Sequence, residues 1–286
     1  MADFPSPFRL AESAAVSLFA KGLGALPLKA ASGLGAGLMG SVGPRLSISK
    51  RARRNLSRVF DPARVDELLP KVWANLGRTF FEYPHIRAMA RAGLVEVQGR
   101  EVMERLVHSG KGTLFFSGHL SNWEVLSLLP GLGAFDAKLM YRAPGNPDVD
   151  RVLLNCRGDD RVGYIQKSTS GTKEAFNLLA SGGVLGFLID HRYNRGVEVD
   201  FLGGKALVAT TAAVMAQKFR CPLVPTRVER LEPGRYRITV HEPLDIDYSQ
   251  PRDQFSQVVM QQAMSMIESW VLERPDQWFW MQRLWV

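Results

Sequence analysis

An imidazole and a carboxylate stand close together in the chain, directly after a predicted strand. His119 and Glu124 follow the apolar run 114–116 in the sequence Gly-His-Leu-Ser-Asn-Trp-Glu. Ligands of α/β sheets bind at the carboxyl ends of the strands, so titratable groups at this point are well placed for catalysis. An ordinary histidine, with a pKa of about 6.5, can take a proton from an alcohol when a carboxylate stabilises the resulting imidazolium.

The spacing limits how these two side chains could cooperate. On one continuous helix, His119 and Glu124 would lie about 140° apart and could not meet. If His119 lies in the strand-to-helix loop and Glu124 in the first helical turn, the carboxylate can hold one ring nitrogen while the other faces a substrate. The structural alternative is a capping box, in which Ser121 caps a helix and Glu124 bonds back to its backbone N–H. Spacing alone leaves both interpretations open.

Two arginines follow the next predicted strand. Arg142 comes directly after residues 138–141, and Arg157 lies one predicted helix further along the chain. Guanidinium groups near a strand end could clamp a phosphate through paired hydrogen bonds. These two positions therefore indicate an anionic substrate.

Short apolar runs bounded by glycine alternate with helical stretches along most of the chain. Periodicity predicts a scaffold helix over 62–91, broken near Pro70 and ending before Pro84, and a closing helix over 255–271. Interleaved strands and helices predict an α/β fold, a single large domain with a mostly parallel sheet flanked by helices. The predicted strands are 113–116, 138–141, 184–189, 223–228 and 236–240, and the helices between them are 148–156, 172–179 and 210–219.

The N-terminal segment, residues 1–60, has a different character from the predicted domain at 61–286. Residues 11–44 are rich in Ala, Gly and Leu, but Lys21 and Lys29 interrupt them, so no run reaches the ~20 residues of a spanning helix. Five lysines and arginines follow within 50–58. This pattern is typical of a helix in a membrane interface beside anionic headgroups. A buried helix with a solvated basic turn is the alternative.

The same segment contains a glycine pattern, Gly35-Ala-Gly37-Leu-Met-Gly40, that satisfies G-x-G-x-x-G. A dinucleotide site would need a strand before it and an acidic residue closing the unit, and no such strand is visible. Gly33 and Gly37 have the spacing that lets two helices approach closely. We therefore expect helix packing here and no nucleotide.

Composition excludes several classes of protein. The 286 residues are 46% hydrophobic and 22% charged, close to globular averages. Two distant cysteines exclude a disulfide scaffold and leave a structural zinc site unsupported. The start of the chain lacks a secretory pattern, so we expect it to be retained. A formal charge of +8 favours phosphate-bearing partners, but no zinc, RRM or helix-turn-helix signature supports nucleic acid.

The motifs, taken in order, resemble the bacterial lipid A biosynthesis acyltransferases, the lauroyl and myristoyl transferases of the lysophospholipid acyltransferase superfamily. The resemblance runs over nearly the whole chain. The sequences that carry it are the basic stretch 51–60, the His119–Glu124 motif, Tyr141-Arg142-Ala-Pro-Gly-Asn146-Pro147, the run from Gly182 to Asp190-His191, Phe201-Leu-Gly203-Gly204, Ala209-Thr210-Thr211 and Pro275-Asp-Gln-Trp278-Phe-Trp280.

The resemblance implies an O-acyl transfer at the cytoplasmic face of the inner membrane, on which the protein is peripheral or N-terminally anchored. His119 would be the base, Glu124 its orienting partner, and Arg142 and Arg157 contacts to substrate. The donor would be acyl-acyl carrier protein and the acceptor a phosphorylated glycolipid, with anionic inner-membrane lipids as partners and no metal or cofactor. Further candidate substrate contacts in these motifs are Asn122, Asn146, Asp190, Gly203 and Thr210.

Two departures from the family pattern bear on the substrate more than on the reaction. Asp190-His191 stands where many members have Asp-Gln, and Gln282-Arg283-Leu284-Trp285 stands where His-Arg-Arg-Trp is usual. Another lipid or glycolipid acceptor is therefore the first alternative. A basic, non-catalytic membrane- or nucleic-acid-binding protein is the second, and the intact His119 and Glu124 argue against it.

Overall fold

A seven-stranded sheet lies at the centre of the computed structural model, which describes residues 7–286. The first six residues of the predicted N-terminal segment, where a leader would begin, lie outside the described residues. The strands are β1 Val95–Gln98, β2 Thr113–Ser117, β3 Ala137–Tyr141, β4 Val162–Gln166, β5 Val184–Leu188, β6 Arg192–Phe201, β7 Gly204–Val208, β8 Leu223–Glu232 and β9 Arg235–Val240.

The order of the strands is β1-β9-β8-β2-β5-β3-β4, and β6 and β7 form a separate antiparallel hairpin. All neighbours in the sheet are parallel except β8 and β9. Every residue of β2 is buried, as expected for a central strand covered on both faces. The predicted α/β fold with a mostly parallel sheet is confirmed.

Eleven α-helices lie within the described part of the chain. They are α1 Pro7–Gly24, α2 Leu28–Val42, α3 Ser49–Leu56, α4 Pro62–Glu82, α5 Ile86–Arg91, α6 Arg100–Val107, α7 Leu129–Leu132, α8 Pro147–Cys156, α9 Thr169–Ala180, α10 Thr211–Phe219 and α11 Arg252–Glu273. Short 3-10 helices cover Gly43–Arg45, Tyr83–His85, Trp123–Leu128 and Pro275–Gln277. Helices α6, α9, α10 and α11 pack against strands of the sheet.

The predicted scaffold helix is not interrupted at its internal proline. Helix α4 continues through Pro70, so the break predicted there is wrong, and the helix ends at Glu82, just before Pro84. Asp61 caps its first turn by accepting a hydrogen bond of 2.9 Å from the Arg64 N–H. Its buried face, which includes Val65, Leu69, Val72 and Leu76, belongs to the main core.

Helix α2 packs closely along α4, and two facing glycines, Gly35 on α2 and Gly77 on α4, make this approach possible. A Cβ atom on Gly35 would collide with the carbonyl of Gly77 on α4. The predicted contact through Gly33 and Gly37 is wrong, because a Cβ atom at either position would meet no atom of another helix within 4 Å. The glycine-rich segment nevertheless packs against another helix, as predicted, but does so through Gly35. The boundary at residue 60 stays a prediction.

The apolar N-terminal helices keep many side chains in solvent. Among the described residues, no helix is both long and apolar enough to cross a membrane. The exposed apolar side chains of α1 and α2 include Phe8, Leu10, Leu18, Phe19, Leu34, Leu38 and Val42. By contrast, Trp278, Trp280 and Trp285 are buried in the core, which excludes them as an aromatic belt at a membrane surface.

Candidate functional site

Two neighbouring strands bring an imidazole and a carboxylate together. Strands β2 and β5 are parallel and paired, with Ser117 opposite Leu188. His119 and Asp190 each stand two residues beyond those positions, so both lie at the same carboxyl edge of the sheet. The Nδ1 atom of His119 lies 2.7 Å from Oδ1 of Asp190. This pair combines residues from distant parts of the chain.

Asp190 is completely buried and its carboxylate is well satisfied. Oδ2 accepts the backbone N–H of His119 at 2.7 Å, the indole N–H of Trp278 at 2.8 Å and the amide N–H of Gln282 at 3.2 Å. Burial alone would raise the pKa of Asp190, but the charge of His119 and these hydrogen bonds hold it below its ordinary value. Asp190 is therefore an acceptor that fixes the His119 ring.

The His119 ring has one nitrogen committed and one available. Its side chain is 25% exposed, and no residue among 7–286 makes a hydrogen bond to Nε2. A carboxylate on Nδ1 selects the tautomer whose Nε2 lone pair is free. Trp123 and Phe279 contact the ring, with centroids at 5.2 and 6.2 Å. The geometry suits a general base whose reactive atom faces the adjoining cavity.

The segment 278–282 closes the site from the far end of the chain. Leu120 and Trp278 form an isolated antiparallel bridge, and the Phe279 N–H donates to the His119 carbonyl at 3.1 Å. Asn55 of α3 in turn donates to the carbonyl of Gln282 at 2.9 Å. Sequence motifs singled out the tryptophans and Gln282 but gave no sign that they reach His119.

Glu124 does not orient His119, so that prediction is wrong. The Arg157 guanidinium lies 2.6 Å from Oε2 of Glu124 and donates to Oε1 at 2.9 Å. Ser121, with a φ of 54°, interrupts the helical path between His119 and Glu124. Arg157, directly after α8, carries a permanent positive charge and is therefore a stronger partner for Glu124 than His119 is. His119 instead uses Asp190, which was predicted as a substrate contact.

The capping box is also wrong. The 3-10 helix Trp123–Leu128 has Asn122 before it and no side-chain cap, and the buried Ser121 hydroxyl has no hydrogen-bond partner among the described residues. Arg157 lies over the rings of Tyr83 and Tyr141, at 5.6 and 5.7 Å from their centroids. Burial would lower the pKa of Arg157, but Glu124 and Tyr83 raise it. Its charge is therefore committed to Glu124.

A cavity of about 680 Å³ opens beside His119. One part of its wall is apolar and comes from strands β2, β3 and β5 and from the chain around α7. Those lining side chains include Phe115, Leu129, Phe135, Ala137, Leu139 and Val184. The other part is polar and includes His119, Glu124, Arg157, Arg142, Lys167 and His191. A mostly apolar cavity with a few converging polar groups is typical of a small-ligand site.

Lys167 and His191 form a second polar contact on this cavity. Lys167 Nζ lies 3.2 Å from Nε2 of His191. Burial, together with the charge of Lys167, lowers the pKa of His191 to about 4. Burial and the charge of Arg142 lower the pKa of Lys167 to about 8, although the charge of Asp190 acts to raise it. Lys167 was missed by sequence because β4, the strand directly before it, was missed.

Arg142 is exposed and lies on the cavity, and its role as a substrate contact stays a prediction. Asn122 does not line the cavity: it is fully buried and donates to Oε2 of Glu82 at 3.2 Å. Asn146 also has a structural position, because it accepts from the Asp148 N–H at 3.1 Å and caps α8. Its amide group donates to α1 at 2.9 Å, to Oε2 of Glu12 and to a backbone carbonyl.

Gly203 and Thr210 also lie away from the cavity. Gly203 has a φ of 71° in the turn between β6 and β7, and a Cβ there would lie 2.7 Å from the Arg58 carbonyl. Thr210 precedes α10 and accepts the Val214 N–H at 2.9 Å through its backbone. Only Gly can adopt the Gly203 conformation without strain, which explains this motif position structurally.

No three His, Cys, Asp or Glu side chains within residues 7–286 are placed to hold a metal ion. Cys156 does not supply a reactive thiolate, because burial raises the pKa of its thiol. The titratable groups that line the cavity include His119, the Glu124–Arg157 pair, Arg142, Lys167 and His191.

A model of one known protein family matches almost the whole chain. The family model "Bacterial lipid A biosynthesis acyltransferase" matches residues 4–286. Among solved structures, the chain is similar to the 1-acyl-sn-glycerophosphate acyltransferase PlsC from Thermotoga maritima, at 12% identity and a TM-score of 0.40, over 95% of this chain and 99% of that one. No curated protein matches this chain.

Proposed function

This chain belongs to the bacterial lipid A biosynthesis acyltransferase family, and we propose that it moves a fatty acyl chain from acyl-acyl carrier protein to a hydroxyl of a phosphorylated glycolipid. The acyltransferase activity follows from the family, whereas the donor, the acceptor and the residues that act are our proposal. The observation that carries it is the His119–Asp190 pair at the edge of a mostly apolar cavity.

His119 acts as the general base in this proposal. Its free Nε2 takes the proton of the acceptor hydroxyl as the hydroxyl oxygen attacks the thioester carbonyl. The carbon–sulfur bond then breaks, and the proton passes from His119 to the leaving thiolate, so that an oxygen ester and a free thiol result. Asp190 stabilises the imidazolium in between, because it is buried, ionised and in contact with Nδ1.

The apolar wall of the cavity suits the fatty acyl chain. Each methylene group that leaves water contributes about 0.8 kcal/mol, so a long chain binds strongly without any specific polar contact. Phe115, Phe135 and Leu139 lie on this wall, while His119 marks its polar part. The thioester carbonyl would therefore lie beside the imidazole when the chain fills the apolar part.

Arg142 and Lys167 are the cations that we assign to the acceptor phosphate. Both line the cavity and neither forms a salt bridge within the described part of the chain. Arg157 differs, because Glu124 neutralises it, so we assign the Glu124–Arg157 pair to shaping the polar wall. This assignment replaces the earlier expectation that Arg157 reads a phosphate.

We further propose peripheral attachment to the anionic cytoplasmic face of the inner membrane. The support is the set of exposed apolar side chains on α1 and α2, such as Leu18, Leu34 and Leu38, beside the exposed Lys21 and Lys29. Apolar burial and attraction to anionic headgroups then act together.

The attachment is tested by flotation with anionic vesicles. Changing Leu18, Leu34 and Leu38 to Ser should abolish flotation, whereas changing the exposed Leu231, Val258 and Leu272 to Ser should leave it intact. Equal flotation of both triple variants would contradict this site of attachment.

The activity is tested with purified protein, acyl-acyl carrier protein and phosphorylated glycolipids in mixed micelles, with mass spectrometry of the products. We expect one added acyl group with the wild type and none above background with His119→Ala. The matched control is His108→Ala, which removes an exposed histidine at the C-terminal end of α6. No acylated glycolipid from the wild type, or full product from His119→Ala, would overturn the proposal.

A further inference from the structure

A second cavity, of about 540 Å³, shares part of its wall with the first. Its lining consists of Arg192, Tyr193, Asn194, Arg195 and Arg283, and the first two also line the cavity at His119. The wall thus carries three guanidinium groups and no carboxylate. This arginine cavity is not used by the proposed mechanism.

The guanidinium groups around it are not neutralised. Within residues 7–286, no salt bridge reaches Arg192, Arg195 or Arg283, although many other arginines, such as Arg227, are paired with acids. Arg192 is held in place by neutral acceptors, the Asn194 side chain at 2.7 Å and the Trp285 carbonyl. Like charges around one cavity repel, and a bound anion relieves that repulsion. The wall is therefore built to receive an anion.

The arginine cavity adjoins the catalytic pair. Arg192 follows Asp190 by two residues, and Arg283 follows Gln282, whose amide donates to Asp190 at 3.2 Å. A substrate whose reacting carbonyl lies at His119 can thus extend directly between these arginines. Arginine recognises phosphate oxygens through paired, charge-assisted hydrogen bonds.

This cavity lies on a different part of the fold from the apolar helices. Strand β6, which carries Arg192 and Arg195, packs on β7 and α11, whereas α1 packs mainly on α8 and α2 on α4. A lipid acceptor would arrive from the surface with exposed Leu18 and Leu34. The exposed arginines are available to a substrate that arrives from water.

We propose that the arginine cavity binds the phosphate of the pantetheine arm of the acyl donor. The inference rests on the proposed function, since it assumes that the acyl chain arrives as a thioester of phosphopantetheine. The acyl chain occupies the apolar cavity, the thioester lies at His119, and the arm leaves past Arg192 and Tyr193. The phosphate then lies among Arg192, Arg195 and Arg283.

The experiment compares two small donors, acyl-phosphopantetheine and acyl-pantetheine, which differ only in the phosphate. The wild type should show a KM at least about tenfold lower for the phosphorylated donor, as expected for a single hydrogen bond to a charged group. In the double variant Arg195→Ala/Arg283→Ala that preference should vanish, while the acceptor KM stays unchanged. The control double variant Arg91→Ala/Arg252→Ala removes the same charge from exposed positions elsewhere.

Two kinetic outcomes would overturn the inference. If the preference for the phosphorylated donor survives in Arg195→Ala/Arg283→Ala, the phosphate binds elsewhere. If the acceptor KM rises and the donor KM does not, the arginine cavity binds the acceptor and not the donor. An equal loss in the control variant would also overturn it, because net charge alone would then explain the effect.

A binding measurement separates this inference from the proposed function. Calorimetric titration of the wild type with 4′-phosphopantetheine and with pantetheine needs no turnover. Tighter binding of the phosphorylated compound, lost in the double variant, would support the site even if no acyl transfer to a glycolipid were found. Equal binding of both compounds by the wild type would overturn the site and leave the proposed function intact.

Discussion

Two buried carboxylates, Asp190 and Glu82, have similar surroundings but different roles. Both side chains are completely buried, and polar and charged neighbours hold both pKa values below the ordinary range although burial opposes this. Glu82 accepts from the Ser32 hydroxyl at 2.6 Å, from Arg230 at 3.1 Å and from the Tyr236 hydroxyl. Asp190 accepts from His119 and from the C-terminal segment 278–282.

The two carboxylates differ in whether their hydrogen-bond partners reach a cavity. Every partner of Glu82 is itself buried, including Asn122, so the cluster ties α2, α4, β8 and β9 together and lines neither of the two cavities described above. The partner of Asp190, His119, is partly exposed and lines a cavity. A lowered pKa therefore marks a carboxylate with satisfied hydrogen bonds in both places. In the proposed mechanism only Asp190 takes part in catalysis, because only its partner lies on a cavity.

The largest effect is expected from Asp190→Asn, which disrupts the Asp190–His119 pair. An asparagine amide can donate to Nδ1 of His119, which places the ring proton on Nε2 and removes the base. We expect kcat/KM to fall on the order of 10³-fold while the thermal midpoint changes little. Steady-state kinetics and a melting curve check this, and a loss below tenfold would contradict the role of Asp190.

Glu82→Gln should instead act on stability, because it leaves Arg230 buried without its anion. Breaking a buried ion pair costs about 3–5 kcal/mol of unfolding free energy. The control Glu96→Gln breaks the exposed Glu96–Arg237 pair and should cost no more than about 1 kcal/mol.

Urea unfolding measures both glutamate variants, and activity per folded molecule should stay within a few-fold of wild type. If Glu82→Gln were fully stable but inactive, the distinction between the buried cluster around Glu82 and the Asp190–His119 pair would be contradicted.

Gln282→Leu tests a donor to Asp190 with a smaller expected effect. It removes one of several hydrogen bonds to the carboxylate, so we expect kcat to fall about tenfold with KM unchanged. Gln282→His, which keeps an N–H donor, should recover part of the loss. A change in KM alone would show that Gln282 contacts substrate and does not position Asp190.

The smallest effect concerns His191, whose pKa of about 4 lies below the value of about 6.5 in an unfolded chain. Between these values the unfolded state binds more protons, so His191 lowers stability as pH falls from about 6.5 to 4. His191→Gln should flatten this part of the stability curve. Urea midpoints at pH 7 and 5 check it, and parallel curves for the two proteins would contradict it.

The sequence predicted the strands that carry the site better than it predicted their neighbours. The apolar runs of β2 and β5 and the position of His119 were recognisable because central strands are continuously apolar. Strands β1 and β4 were missed because they lie at the two edges of the sheet, where few residues are buried. The exposed, irregular hairpin strand β6 was missed for a similar reason.

The partner of His119 could not be predicted from spacing. Glu124 is close in sequence, but a local carboxylate reaches a histidine only if the backbone allows it, and the positive φ of Ser121 was not visible. Asp190 becomes a neighbour only because β2 and β5 pair although β3 and β4 lie between them in the chain. Contacts from Trp278 and Gln282 depend on still longer-range packing.

The bridge between Leu120 and Trp278 shows that the site depends on residues that are synthesised last. The ribosome completes α1, α2 and the strands of the sheet before it adds residues 278–282, and chains fold from the N-terminal end as they emerge. The apolar helices can therefore reach a membrane while Asp190 still lacks two of its donors, Trp278 and Gln282. On the membrane attachment and the mechanism proposed above, a nascent chain would reach the membrane before its His119–Asp190 pair is complete.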